Sequence, residues 1–469
     1  MSKYRPLIGF GILFIVALFI MAAKPLSPEL NDSGQMVLGG LLITIGLWIF
    51  KPRNIPFSIG GAFLAFWLLL QGLSPAVVFS GFTSSALWTL IPALYFGFVL
   101  QKTGLGKRMA MTIIKLSRPS YFSMVLAWTL IGIVLSMLTP SITVRVAIVI
   151  PIAVHCCELF ELEKGSRGNS LILLTAFSMA LIPGAGWLSG SLWGPIIQGM
   201  YSAVPGMETA ITFDSWLQVA LLPMTTIALF LMVGGYLALK PTQKLSKKAY
   251  DKLKHTPADP LSQNEKASAI ILLVVFVLFV TSGIHGIPSA AVCLLALVFF
   301  FVLKVMEPSD VSTGISWDLV LFLGFALGLT AVFSATGISD WLASIVISAL
   351  APIAGNPFLF VIVVATILFA WRFVDIATFV PTIALLVPIL PAISQAYSIN
   401  PLVWIVIFVS AGNAMFMGYQ NMWALMSQSI SGERAWTPAH LARYGTVYFV
   451  ASLAALVICV PLYTSLGFF

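Results

Sequence analysis

The sequence predicts an all-α polytopic membrane protein, an inverted-repeat protein with about 11 transmembrane helices and two re-entrant helical hairpins. Its 469 residues are 59% hydrophobic and only 9% charged, whereas charged residues make up about 25% of a soluble globular protein. Apolar runs of about 17–25 residues, each long enough to cross a bilayer as a helix, recur along the chain. Two longer runs carry the same interruption, and this pair predicts the repeat.

The apolar runs give the elements of the first half in order. They are spans at 6–23, 35–50, 56–73 and 86–101, an amphipathic stretch at 104–116, a broken run at 121–160, an interrupted span from 169 to about 200, and a span at 215–239. The run at 6–23 could be a cleaved signal peptide, but the many later spans favour an uncleaved first span. The broken run is too long for one span, and Thr139-Pro140-Ser141 divides it. Irregular backbone at membrane depth must line a cavity or be buried in protein, which favours a hairpin over two full crossings.

The second half repeats this order. It contains spans at 267–284, 287–303 and 317–335, an amphipathic stretch at 339–353, a broken run at 356–393, and spans at 401–430 and 444–466. We therefore expect four segments: an N-terminal span and connector (1–34), a first repeat (35–239, hairpin 121–160), a cytoplasmic linker (240–266) and a second repeat (267–469, hairpin 356–393).

The positive charges orient these elements. Basic residues favour the cytoplasmic side of short loops. Of the 24 Lys and Arg residues, the assignment leaves only Lys24 outside and only Arg145 and Arg372 within the membrane. It places the N-terminus in the cytoplasm of a cell membrane and the C-terminus outside. The net charge of +8 therefore reflects topology, and no nucleic-acid partner is expected.

The two broken runs share a spacing. Ser141 lies ten residues before Pro151, and Thr378 lies ten residues before Pro388. The same elements in the same order but with opposite orientation are typical of secondary transporters, whose sites form between discontinuous helices. The alternative is a chance likeness between two apolar halves.

Four segments then resemble the divalent anion:sodium symporter family, which carries dicarboxylates, citrate or sulfate. They are Lys102–Arg108, the tip Thr139–Thr143, Gly184–Ser191 and Met417–Asn421. The resemblance implies a homodimer in the lipid membrane, in which the hairpins and broken spans move like an elevator against a scaffold of spans 35–101 and 267–335. The chain is a divergent member, since Ile142 and Phe379 stand where the family has Asn and supply no side-chain oxygen.

These segments provide the candidate substrate-binding residues, which are Ser141, Thr143, Arg145, Ser191, Thr378, Gln420 and Asn421. Hydroxyl groups and free N–H groups at helix starts suit a carboxylate, although Ser and Thr also cap helices routinely. An intramembrane Arg can hold an anion bidentately or be satisfied by backbone carbonyls. Gln and Asn can bind substrate or join helices.

The candidate residues for ion coupling are Ser141, Gly186, Gly190, Asp375, Thr378 and Gly418. Asp375 could take a proton or sodium ion, or it could neutralise Arg372, which shares its face if the segment is helical. We expect no cofactor and no metal site; a coupling Na+ or H+ is the possible exception.

The residues together predict a secondary active transporter of a small divalent organic anion, working by elevator-type alternating access as a symporter or an exchanger. The alternative is a cation/proton antiporter or an inorganic oxyanion transporter of the same superfamily. An enzyme is not expected, because no acid, base or metal ligands cluster at usable spacing.

Overall fold

Helices form where the apolar runs predict them. The computed structural model describes residues 5–255, 260–375 and 379–469, and within these residues it is helical without β-strands. The helices of the first half are α1 (Arg5–Ala23), α2 (Asp32–Phe50), α3 (Phe57–Leu70), α4 (Ser85–Lys102), α5 (Leu105–Leu116), α6 (Tyr121–Leu138), α7 (Ile142–Leu159), α8 (Arg167–Leu181), α9 (Trp193–Ser202) and α10 (Phe213–Leu239). Those that follow are α11 (Lys247–Lys254), α12 (Gln263–Val280), α13 (Ser289–Val302), α14 (Trp317–Ala335), α15 (Ile338–Ala354), α16 (Pro357–Trp371), α17 (Val380–Leu386), α18 (Leu390–Tyr397), α19 (Val403–Gly412), α20 (Met422–Ser431) and α21 (Pro438–Ser465).

The lengths of these helices suit a membrane. Nine helical segments of the described chain are long and apolar enough to span a bilayer, and shorter apolar helices accompany them. The predicted all-helical membrane fold is confirmed. The span count of 11 and the re-entrant path of the two hairpins stay predictions.

The two halves begin their amphipathic helices in the same way. Gly104 precedes α5 with φ +79°, and Gly337 precedes α15 with φ +74°. Glycine adopts this left-handed conformation without the penalty that a side chain imposes. The chain therefore turns identically before α5 and α15, the equivalent elements of the predicted repeat.

The broken helices form the centre of the protein. Every residue of α19 is buried, as is every residue of α8 after Arg167. By contrast, α12 and α13 expose large apolar side chains along one face, among them Ile270, Leu273, Leu295 and Val298. A face of this kind is stable against lipid or another apolar surface.

Polar contacts join the two halves of the predicted scaffold. Nζ of Lys102, at the end of α4, lies 2.6 Å from Oδ2 of Asp310. The carboxylate of Asp318, in α14, accepts the backbone N–H groups of Phe57 (3.2 Å) and Ser58 (2.8 Å) at the start of α3. These contacts fix the first half against the second.

The predicted linker is more ordered than its lysine-rich composition indicates. It contains α11, and the buried Tyr250 on that helix donates a hydrogen bond to the carbonyl oxygen of Lys115 at 3.0 Å. One aromatic side chain thus anchors this part of the linker to α5. Residues 256–259 lie outside the described chain.

Candidate functional site

The tip of the first hairpin, residues 139–143, is an N-cap. Oγ1 of Thr139 accepts the backbone N–H of Ser141 at 3.1 Å, and Oγ of Ser141 accepts the N–H of Val144 at 3.4 Å. These bonds satisfy donors that a helix start otherwise leaves free. Ser141 therefore orders the start of α7 and points it toward the protein interior.

Arg145 lies one turn after this cap and is fully buried. All three nitrogens of its guanidinium group lack a hydrogen-bond partner among the described residues. The group packs against Gly184, where an added Cβ would lie 2.5 Å from Nη1 of Arg145 and 2.2 Å from the carbonyl oxygen of Gly190. Glycine at 184 thus admits the guanidinium beside the backbone. A buried charge without partners costs several kcal/mol, so this site favours an anion.

The first break, residues 182–192, separates α8 from α9. It begins with a 3₁₀ turn at Pro183–Gly186. Oγ of Ser191 accepts the backbone N–H of Trp193 at 3.4 Å, whereas the buried Oγ of Ser189 finds no partner within the described chain. An added Cβ on Gly186 would make only ordinary contacts at 3.5 Å. The packing around position 186 therefore does not require glycine.

The second hairpin, residues 357–397, holds Arg372 where α16 ends. The helix stops at Trp371, so Arg372 and Asp375 come together through the segment after the helix and not along a helical face. The guanidinium group donates from Nη1 to the backbone carbonyl of Asp375 and from Nη2 to that of Gln420. Its Nη1 still lies 3.7 Å from the Asp375 carboxylate.

The surroundings of Arg372 complete this arrangement. The carboxylate of Asp375 accepts the hydroxyl group of Thr382, and the ring of Phe379 lies 5.4 Å from the guanidinium carbon. Phe379 adopts φ +60° before α17, a conformation that non-glycine residues rarely adopt. Thr378 lies outside the described residues, so its predicted role stays a prediction.

The second break, residues 413–421, separates α19 from α20. Oδ1 of Asn421 caps α20 by accepting the N–H of Trp423 at 3.0 Å, and Oε1 of Gln420 accepts the N–H of Met417 at 2.8 Å. Their amide nitrogens, Nδ2 and Nε2, are buried without partners in the described chain. The amides of Gln420 and Asn421 therefore each keep a donor free.

Gly418 lies in the same break, where an added Cβ would lie 3.0 Å from the Gln428 side chain.

Two tryptophans connect the halves. Nε1 of Trp423, in α20, donates to Oγ1 of Thr143 in the first hairpin at 3.1 Å. Nε1 of Trp193, in α9, donates to Oδ1 of Asn413 in the second break at 3.1 Å. The two hairpins and the two breaks thus form one connected cluster. Sequence patterns gave no signal for these tryptophan contacts, since the partners are more than 200 residues apart.

A cavity of about 40 Å³ lies against this cluster, with room for a few water molecules. Its lining residues are Leu192, Trp193, Ile196, Leu319, Phe322, Leu323, Arg372, Val380, Gly412, Gln420, Asn421, Met422 and Trp423. The structure therefore brings Arg372, Gln420 and Asn421 together at one cavity. It places Arg145 at the first break instead, outside the cavity lining.

Known proteins share this fold and sequence pattern. The chain is 24% identical over 438 residues to the sodium-dependent dicarboxylate transporter SdcS of Staphylococcus saprophyticus, covering 87% of this chain and 82% of that protein. It is 23% identical over 289 residues to the chloroplastic dicarboxylate transporter 1 of Arabidopsis thaliana, covering 60% and 51%. The crystal structure of the Alcanivorax borkumensis YdaH transporter matches with a TM-score of 0.56 and 11% identity over 93% of this chain and 99% of that one.

A family profile matches nearly the whole chain. The sequence profile described as "Sodium:sulfate symporter transmembrane region" matches residues 9–464. This range includes both hairpins, both breaks and the buried arginines. The chain belongs to this sodium:sulfate symporter family of membrane transporters, which is the divalent anion:sodium symporter family that its motifs resemble.

Proposed function

We propose that the protein is a secondary active transporter of small divalent organic anions, namely di- or tricarboxylates. The observation that carries this proposal is a set of buried donors without acceptors at the two breaks. Among them are the guanidinium group of Arg145 and the amide nitrogens of Asn413, Gln420 and Asn421. Unsatisfied buried donors are costly, and an anion with several oxygens satisfies them. A cation/proton antiporter would not use such a site.

The distribution of these donors favours a substrate with two charged ends. Arg145 and the unpartnered hydroxyl of Ser189 belong to the first half, whereas Gln420 and Asn421 belong to the second. A dicarboxylate can place one carboxylate at each group. The relatives named as dicarboxylate transporters support the same substrate class.

Elevator-type alternating access is the proposed mechanism. Leu319, Phe322 and Leu323 of α14, in the proposed scaffold, line the cavity together with residues of the second hairpin and second break. A site at such a boundary is exposed alternately when one body slides past the other. In this proposal two copies form a homodimer in the lipid membrane, with the N-terminus cytoplasmic and the C-terminus outside.

A disulfide between scaffold and hairpin tests the motion. An added Cβ on Gly97, in α4, would lie 3.0 Å from Cβ of Val144 in α7, so the two helices need to separate only slightly to reach the Cβ distance of about 3.5–4.5 Å of a disulfide. We expect Gly97→Cys with Val144→Cys to lose transport on oxidation and recover it on reduction. Each single cysteine variant is the control. Full transport by the fully crosslinked protein would exclude the elevator motion.

Inorganic oxyanions such as sulfate are the second candidate, because the family description names sulfate and a buried guanidinium group binds oxyanions as well as carboxylates. Uptake of labelled succinate, malate, citrate and sulfate into proteoliposomes distinguishes the two. We expect saturable uptake of a dicarboxylate that sulfate inhibits poorly. Saturable uptake of sulfate alone would favour the second candidate, and absence of uptake of all four would reject both.

A further inference from the structure

Trp193 and Trp423 occupy equivalent positions in the two halves, each two residues after the side chain that caps its helix. Oγ of Ser191 accepts the backbone N–H of Trp193 at 3.4 Å. Oδ1 of Asn421 accepts the backbone N–H of Trp423 at 3.0 Å. Both tryptophan side chains line the cavity beside the second break. A ligand in this cavity therefore contacts one indole ring from each half.

The walls of the cavity are mostly hydrocarbon. Among the described residues that line it, Arg372, Gln420 and Asn421 alone carry charged or amide side chains. Its volume of about 40 Å³ holds a few water molecules, so it fits one carboxylate end of a dicarboxylate with the adjoining carbon. In the proposed complex, that carbon lies against aliphatic and aromatic side chains.

The polar groups at the cavity offer hydrogen-bond donors. The amide nitrogens of Gln420 and Asn421 and Nε of Arg372 are buried without partners in the described chain. A carboxylate accepts hydrogen bonds and donates none, so it satisfies groups of this kind. The free polar chemistry of the cavity thus matches the end of a carboxylic acid anion.

The amide oxygens at the cavity already accept bonds from the protein. Oε1 of Gln420 accepts the N–H of Met417. Oδ1 of Asn421 accepts the N–H groups of Trp423 and Ala424. A hydroxyl group on a substrate needs an acceptor for its proton, and both of these oxygens are engaged.

The two indole groups engage further oxygens of the cluster. Nε1 of Trp193 donates to Oδ1 of Asn413, and Nε1 of Trp423 donates to Oγ1 of Thr143, each at 3.1 Å. Asn413 and Thr143 are not among the described residues that line the cavity. An added Cβ on Gly412 would lie 2.7 Å from the ring of Trp193, so this ring is closely packed. Each tryptophan thus presents its ring to the cavity and binds a polar oxygen away from it.

We propose that Trp193 and Trp423 make the protein selective for dicarboxylates with an unsubstituted hydrocarbon chain, such as succinate, over hydroxylated ones such as malate. This inference rests on the proposed function. A hydroxyl group next to the bound carboxylate exchanges its bonds to water for contact with hydrocarbon and engaged oxygens. A buried donor without an acceptor weakens binding by about 5- to 150-fold.

Ligand-induced thermal stabilisation tests this selectivity on the wild-type protein, with the Tm measured over a concentration series of each acid. We expect succinate and methylsuccinate to bind within about threefold of each other, and malate to bind at least about fivefold more weakly than succinate. Methylsuccinate is the control for size, because its methyl group is at least as large as the hydroxyl group. Malate binding as tightly as succinate, or methylsuccinate binding as weakly as malate, would overturn the inference.

Replacement of one tryptophan tests its role directly. Trp193→Phe keeps a ring at the cavity but leaves Oδ1 of Asn413 free to accept a hydroxyl group. We expect the affinity for malate relative to succinate to rise by about fivefold or more, and an unchanged ratio would reject the role of the indole. Trp404→Phe is the matched control and should leave the ratio unchanged. Trp404 is as buried as Trp193, its Nε1 has no partner among the described residues, and it lies outside the cavity lining.

The outcomes separate this inference from the proposed function. If no dicarboxylate raises the Tm of the wild type or enters proteoliposomes, the proposed function fails. If dicarboxylates bind but malate binds as tightly as succinate, the selectivity alone fails. Trp423→Phe, which frees Oγ1 of Thr143, repeats the test in the other half and should shift the ratio in the same direction. If neither variant folds, the wild-type ligand series still decides.

Discussion

Replacement of Arg145 by Gln is the sharpest test of the anion site. The guanidinium group is fully buried and its three nitrogens are unpartnered within the described chain. Hydrogen bonds to charged groups contribute about 1.5–3 kcal/mol each, and Arg binds a carboxylate through two of them. Loss of both bonds removes about 3–6 kcal/mol, which corresponds to about 140- to 20,000-fold weaker binding. The ligand-free protein should not lose stability, because the variant buries no uncompensated charge.

Ligand-induced thermal stabilisation measures both effects, since a ligand that binds the folded protein raises its Tm. Wild-type protein should gain stability with succinate or malate, and Arg145→Gln should gain none at the same concentration. Arg443→Gln is a matched control, because Arg443 is exposed and donates to the carbonyl oxygen of Ala238 at 3.3 Å, away from the breaks and hairpins. A folded Arg145→Gln variant that binds dicarboxylate within about threefold of the wild type would refute the assignment.

Three further substitutions test the first break and the scaffold. Gly184→Ala should lower both Tm and transport, because its methyl group would lie 2.5 Å from Nη1 of Arg145; Gly186→Ala, with contacts at 3.5 Å, should be nearly neutral. Burial acts to raise the pKa of Asp310, but hydrogen bonds from Lys102 and a backbone N–H outweigh it, and the net pKa is lowered. Its stabilising effect is therefore present above the ordinary value of 3.8 and lost as the pH falls through the lower folded value. Asp310→Asn should lower the Tm at pH 7 and reduce this acid sensitivity, as a pH series of unfolding curves would measure.

The sequence predicted the helices better than it predicted their contacts. Hydrophobic runs reveal a span because the bilayer imposes a length of about 20 residues, and the predicted span at 317–335 has the bounds of α14. A prediction of side-chain contacts from residue spacing fails where a helix ends. Spacing indicated that Arg372 could pair with Asp375, and the two side chains do lie 3.7 Å apart, but α16 ends at Trp371 and the guanidinium also binds the carbonyl of Gln420, 48 residues away. Such a contact depends on tertiary packing, which local periodicity does not encode.

The two buried arginines differ in their hydrogen-bond partners, and this difference gives them different roles. If both arginines were satisfied by backbone carbonyls, the site would have no unmet donor strong enough to select an anion. If both were unpartnered, the ligand-free protein would carry two uncompensated buried charges, each costing several kcal/mol. Arg372 donates through Nη1 and Nη2 to two carbonyls and leaves only Nε unpartnered in the described chain, whereas all three guanidinium nitrogens of Arg145 lack partners there. This difference avoids both outcomes. The asymmetry predicts that substitution of Arg145 weakens anion binding, whereas substitution of Arg372 chiefly weakens the contact between the second hairpin and the second break.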